Sequence, residues 1–221
     1  MSWASSIEYY RFINQEVNRR LGGQHNAKNL MLTVDFAEIE ALQVSGDWDK
    51  LGETMADAAR RLEHGGADCV LICANTMHLC APQIESAVKI PLIHIADATA
   101  DTIRHANLNT IGLLGTRYTM EGNFFRTRLA EKHGITALIP PAEVRNELHR
   151  LIYDELTKSI FTDSSRRCFV EAIEWLQAQG AEGVILGCTE IPLLVKPEHA
   201  SVPLFDTTAI HARAAVDFAL A

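Results

Sequence analysis

The sequence predicts an α/β protein of two pseudo-symmetric αβα halves, each built around a parallel-type sheet. Three observations carry this. Short aliphatic runs bounded by Gly or Pro, such as TIGLL at 110–114 and VIL at 184–186, read as strands covered on both faces. Amphipathic helical patterns fill the intervals between such runs. Residues 62–76 (LEHGGADCVLICANT) and 176–190 (LQAQGAEGVILGCTE) repeat one another, pairing Gly66 with Gly180, Asp68 with Glu182 and Ala74 with Cys188.

Taken in order, Tyr10, Ile13, Val17 and Leu21 recur at helical spacing, with Ser5 or Ser6 as the cap and Gly22-Gly23 as the stop. LMLTV at 30–34 reads as a buried strand. Trp48, Leu51, Met55 and Leu62 mark a second amphipathic helix, ended by Gly65-Gly66. Strands are expected at 70–72, 90–95, 110–114 and 184–186, a helix at 117–130, and long helices near 142–158 and 163–179. A second echo relates IPLIHIADATA at 90–100 to VPLFDTTAIHA at 202–212. The duplication divides the chain into a first half, 1–100 plus 208–221, and a second, 101–207. Ligands of open α/β sheets bind beyond the carboxyl ends of the strands. Loops 73–78 and 187–192 are therefore expected to line one cleft between the halves. TIGLLGT at 110–116 has no counterpart ahead of residue 1, so the first half is expected to lack that strand.

Composition narrows the function classes. With 48% hydrophobic and 22% charged residues the 221-residue chain has globular, not disordered, composition. A net charge of -8 repels polyanions and argues against nucleic acid or an acidic membrane as partner. No apolar run approaches the roughly 18 residues of a membrane span, and MSWASSIEYYRF lacks the pattern of a signal peptide. Five cysteines without a secretion signal fit a reducing compartment. The expectation is a soluble cytoplasmic enzyme.

The polar junctions then carry chemistry. ANTMH at 74–78, HIADAT at 94–99, LLGTRYTM at 113–120, LGCTEIPLL at 186–194 and FDTTAIHA at 205–212, with MSW at 1–3 and VDF at 34–36, together resemble the aspartate/glutamate/hydantoin racemase superfamily. The match is nearest to its cofactor-independent aspartate and broad-specificity amino-acid racemases. It extends over essentially the whole chain, and GCTE with an upstream NT-x-H is specific only in combination. The resemblance implies two cysteines flanking the substrate α-carbon, one removing the proton and the other returning it to the opposite face, with no pyridoxal phosphate, other cofactor or metal. It implies a small amino acid or dicarboxylate as ligand and a homodimer as the assembly. Such chemistry needs donors preorganised for a carbanion and a thiol pKa lowered by helix N-termini or nearby donors.

By position, Cys188 matches the second catalytic cysteine. Asn75, Thr76 and Thr189 match the residues that hold the α-carboxylate, and Ser2, Gly115, Thr116 and Thr119 match loops lining the same pocket. Competing readings stand beside these: a buried structural thiol for Cys188, and strand-to-helix capping for Asn75 and Thr76. Glu190 is placed either to orient Cys188 or the substrate ammonium, or simply as a capping carboxylate. The first catalytic cysteine of the family falls on Ala74, which has no proton to give, so water or Cys73 would have to act as the second acid. The basic residues that bind the distal carboxylate in aspartate racemases fall on Gln43 and Thr162, which suits a neutral amino acid at least as well as aspartate.

The remaining candidates weigh less. Cys69, Cys73, Cys80, His64 and His78 match no common zinc spacing. His94 and His211 are expected at equivalent places in the two repeats, at strand ends near the cleft, where they could tune thiol protonation. Two further readings follow from the single cysteine: a decarboxylase of the arylmalonate type, and a catalytically impaired protein that binds amino acids or dicarboxylates.

Overall fold

A computed structural model describes residues 2–221. The chain forms two compact units, Met1–His94 with His211–Ala221, and Ile95–Ile210.

The first unit is helical. Helix α1 (Trp3–Leu21) is capped by Ser2, whose hydroxyl accepts from the Ser5 N–H, rather than by Ser5 or Ser6. Its buried residues are Ser5, Tyr9 and Val17; Val17 is buried as expected, Tyr9 takes the place expected of Tyr10, and Tyr10 and Leu21 are exposed. Gly22 at φ 73° ends it, as the glycine pair predicts. Asp35 caps α2 (Phe36–Ser45), and Asp47 caps α3 (Trp48–His64). A 3-10 turn, Thr76–Cys80, leads into α4 (Ala81–Ala87). Ile39, Leu51, Met55, Ile72, Met77 and Ile84 form the core of this unit.

Three expected strands are absent here. Residues 28–35 are irregular, and Leu30 and Met31 are exposed. An apolar run alone does not find a partner strand, and among the described residues this one has none. Segments 70–72 and 90–95 are reduced to a single parallel bridge, Val70↔Leu92, fastened by Val70 N–H to the Pro91 carbonyl at 2.9 Å.

The second unit holds the sheet. Helix α5 (Ile95–His105) leads into β1 (Thr110–Gly115). The expected helix 117–130 is broken at Gly122 into α6 (Arg117–Glu121) and α7 (Asn123–His133). Then follow β2 (Thr136–Leu138), α8 (Ala142–Asp154), α9 (Asp163–Ala178), β3 (Val184–Gly187), α10 (Ile191–Leu194), β4 (Leu204–Asp206) and α11 (Thr207–Ala219), of which the residues from His211 onward belong to the first unit. The four strands are parallel, in the order β2-β1-β3-β4. Alternate side chains point to opposite faces. Leu114, Val184 and Leu186 therefore pack with Leu151 of α8 and Phe169 and Ile173 of α9. Ile111, Leu113 and Ile185 pack on the other face with Ile103 of α5 and Phe125 and Leu129 of α7. Both faces are covered, which is why these strands read as unbroken aliphatic runs.

The internal repeat survives in the geometry of each unit. Gly66 and Gly180 both have positive φ, 89° and 96°. Ala67 N–H meets the Leu62 carbonyl at 3.1 Å, and Ala181 N–H meets that of Leu176 at 3.0 Å. The bridge Val70↔Leu92 corresponds to Val184↔Leu204 in the sheet, and Val184 N–H bonds the Pro203 carbonyl as Val70 bonds Pro91. The same register sets His94 against Asp206, so His94 and His211 are not equivalent positions.

Two expected outcomes follow. A Cβ at Gly115 would stand 2.7 Å from the Gly187 carbonyl oxygen, and one at Gly187 would stand 2.7 Å from that of Leu114. These are backbone atoms of paired strands and cannot swing aside, so Gly115→Ala and Gly187→Ala should each cost about 1–3 kcal/mol in chemical denaturation. Asp97 of α5 accepts from Arg128, Lys132 and His133 of α7 at 2.6–2.9 Å. Burial raises its carboxyl pKa, but the hydrogen bonds from Arg128, His133 and Lys132 outweigh it and hold Asp97 well below the usual carboxylate range. A depressed folded-state pKa stabilises above the unfolded value of about 4 and is lost as pH falls through the folded one. Asp97→Ala should therefore cost about 1–2 kcal/mol at pH 7. Thermal melts should show that deficit shrinking as pH drops below about 4.

Candidate active site

The carboxyl ends of β1, β3 and β4 lie at one edge of the parallel sheet, the edge at which open α/β folds bind ligands. At the end of β1, Gly115 sits beside Gly187 with no side chain between the strands. Thr116 follows and caps α6: its hydroxyl accepts from the Thr119 N–H at 3.2 Å and lies 3.2 Å from the Thr119 hydroxyl. Both threonines are buried. His149 of α8 accepts the Arg117 N–H at 3.3 Å, satisfying another donor of that short helix.

At the end of β3 the turn Cys188-Thr189-Glu190 leads into α10. Cys188 is 9% exposed and borders the core beneath α9. The Glu190 carboxylate oxygen Oε2 accepts both the Cys188 thiol at 3.0 Å and the Thr189 hydroxyl at 2.8 Å. Burial, then the charge of Glu190 and the hydrogen bond to it, push the Cys188 thiol well above its ordinary pKa. The resemblance implies a lowered thiol pKa; here the carboxylate of the same turn acts in the opposite direction, against the backbone N–H groups of Thr189 and Glu190, which lower it. At the end of β4, Asp206 accepts the Thr208 and Ala209 N–H groups and opens α11. The Thr207 hydroxyl donates to the Leu186 carbonyl at 2.9 Å, tying the start of α11 to the strand that delivers Cys188. Sequence reasoning missed Thr207, since a buried hydroxyl bonded to a distant carbonyl leaves no local pattern.

In the other unit, Ala74 begins the turn that carries Asn75 and Thr76, both buried. Cys73 stands beside it in irregular chain, and burial pushes its thiol up to about 12. Gln43 of α2 is buried and donates its amide to the Met77 sulfur at 3.3 Å. Ser2 is buried as the cap of α1 and lies 2.9 Å from the Ser5 hydroxyl. Thr162 is the cap of α9, accepting from the Ser165 N–H at 3.0 Å. Arg166 is engaged with Asp163 and the Leu194 carbonyl.

One grouping was not foreseen. His78, His94 and His211 lie together, with ring centroids of His78 4.6 Å from His94 and 5.6 Å from His211. Tyr9 donates its hydroxyl to His211 Nδ1 at 2.7 Å, and His211 Nε2 donates to the Ile93 carbonyl at 2.7 Å. Burial lowers the His211 pKa to about 4; burial, then the charges of His94 and His211, put His78 well below the ordinary value. The NT-x-H spacing was the available signal for His78. Among the described residues no group of three or more His, Cys, Asp or Glu side chains is arranged to hold a metal ion.

Comparisons with known proteins agree on one family. The family model for Asp/Glu/hydantoin racemases matches residues 1–215. A Yersinia pestis protein whose crystal structure is reported as that of a candidate Asp/Glu racemase is 52% identical, with a TM-score of 0.92 over 100% of this chain and 96% of that one. An aspartate racemase homologue from Pyrococcus horikoshii OT3 is 30% identical, with a TM-score of 0.83 over 99% and 95% of the two chains. The broad-specificity amino-acid racemase RacX of Bacillus subtilis is 23% identical over 186 residues, which is 79% of this chain and 75% of RacX. Architecture, motif positions and similarity thus converge, and the chain belongs to the Asp/Glu/hydantoin racemase family.

Proposed function

We propose that the protein is a cofactor-independent amino-acid racemase or epimerase in which Cys188 exchanges the Cα proton and Glu190 governs the charge of that thiol. Membership of the racemase family makes it an isomerase acting on amino acids. The observation that carries the finer reading is the shared hydrogen bonding of Cys188 and Thr189 to one Glu190 oxygen at the carboxyl edge of the sheet. A neutral Cys188 is ready to protonate a carbanion. To act as base it first passes its proton to Glu190, a route already aligned by the 3.0 Å thiol–carboxylate contact. Thr189, Thr116 and Thr119, with Asn75 and Thr76, are the proposed holders of the substrate carboxylate. Gly115 and Ser2 are proposed to bound the substrate, and Gln43 to supply a neutral polar group for its side chain. Ala74 leaves the second face without a thiol, so water is the proposed acid there. The assembly is proposed to be a cytoplasmic homodimer; among the described residues no helix is long and apolar enough to cross a membrane.

The neutral thiol and Ala74 also favour a second reading, decarboxylation of a disubstituted malonate, in which Cys188 need only donate a proton. Carbon dioxide release from such a substrate would select it.

Incubation with a panel of L- and D-amino acids in deuterated water should show Cα–H exchange, and Cys188→Ala should lower the exchange at least about 100-fold. No exchange with any member of the panel would reject the racemase reading. Because the charge of Glu190 raises the thiol pKa, Glu190→Gln should increase the rate of Cys188 alkylation by iodoacetamide at pH 8, whereas an unchanged rate would remove Glu190 from that role.

A further inference from the structure

In the turn after Ala74 the backbone alone does not bind every carbonyl it presents. His78 N–H bonds the Asn75 carbonyl at 3.0 Å, as a 3-10 turn requires, which takes that donor away from Ala74. The His78 side chain supplies the replacement. Its Nδ1 lies 2.9 Å from the Ala74 carbonyl and 3.3 Å from that of Asn75, and because both partners are acceptors, Nδ1 carries the hydrogen. The imidazole thereby closes a loop from residue 78 back onto residues 74 and 75.

The ring is itself held. His94 and His211 flank it, and His211 cannot turn because both of its nitrogens are engaged, one by the Tyr9 hydroxyl and one by the Ile93 carbonyl. A path of fixed groups thus runs from Tyr9 on α1 through His211 on α11 to His78 and the Ala74–Asn75 carbonyls. Each of Tyr9, His78, His94 and His211 is at least nine-tenths buried, so water does not compete for these bonds.

We propose that His78 is a positioning residue for substrate binding, its Nδ1–H holding the Ala74-Asn75-Thr76 turn in the shape that presents Asn75 and Thr76. This rests on the proposed role of that turn in gripping the substrate carboxylate. His78 touches no substrate in this reading; it acts through the backbone it fastens.

The test compares His78→Asn, whose side-chain amide N–H can stand where Nδ1–H stood, with His78→Leu, which fills space without a donor. In the ligand-free protein, hydrogen–deuterium exchange of residues 74–80 should speed up at least ten-fold in His78→Leu and stay within about three-fold of the parent in His78→Asn. In the Cα-exchange assay His78→Leu should raise KM at least ten-fold while kcat changes less than about three-fold, and His78→Asn should recover most of that KM. Equal behaviour of the two variants, or unchanged hydrogen exchange in His78→Leu, overturns the proposal, as does a kcat loss without a KM rise. Should His78→Leu fail to fold, Tyr9→Phe, which releases His211 alone, must speed exchange at 74–80 or the proposal falls. If the parent protein exchanges no Cα–H, the racemase reading fails by itself, and hydrogen exchange with its rescue by Asn still decides the role of His78.

Discussion

The close approach of β1 and β3 at their carboxyl ends is the constraint on which the second unit depends. Gly115 and Gly187 face each other in register, and each lacks the Cβ that would strike a backbone carbonyl of the other strand 2.7 Å away. Only with both glycines in place can the two strands stay paired to their last residue. The two turns that follow, at Thr116 and at Cys188, then leave the sheet side by side from a rigid edge. Sites on strand ends inherit the rigidity of the strands, and here the aliphatic layers on both faces of the sheet supply it.

At that edge, electrostatics decide which form of the thiol the fold supports. A carboxylate 3.0 Å from Sγ stabilises S–H and opposes S⁻. The same carboxylate also accepts from the Thr189 hydroxyl, so part of its charge is already satisfied within the turn. A bound ammonium group, or a proton taken up by Glu190, would remove the opposition and release a thiolate. The balance between thiol and thiolate in this turn therefore depends on the charge carried by Glu190 and by whatever approaches it.

Much of this architecture was legible in the residues, because both sides of the sheet are buried and the aliphatic runs 110–114 and 184–186 announce it. The repeat carried further detail: once Val184 is seen to pair with Leu204, its two offsets set Val70 opposite Leu92, the pairing observed. Failure came where an apolar run lacked a neighbour. Residues 30–34 have strand composition but no ladder to join, and pairing is a tertiary property that local pattern does not contain. The motif residues at the sheet edge were legible by position. The thiol–carboxylate contact of Cys188 with Glu190 was not, since it turns on a distance between two side chains of one turn. The histidine cluster was hidden for a similar reason: Tyr9, His78, His94 and His211 are scattered along the chain and meet only after folding.

The two copies of the repeat have diverged in how they fasten equivalent turns. In the second copy a side chain of the turn itself, Glu190, gathers the thiol and the hydroxyl just before it. In the first copy the position equivalent to Glu190 is Thr76 and that equivalent to Cys188 is Ala74. Neither can repeat that arrangement, and the turn is fastened from two residues further on, through His78 and the backbone carbonyls. The first arrangement shares one carboxylate oxygen between a thiol and a hydroxyl; the second uses an imidazole whose pKa burial lowers. With alanine at position 74, the Asn75-Thr76 turn is held by an imidazole two residues further on, where the second copy holds its turn through a carboxylate within it.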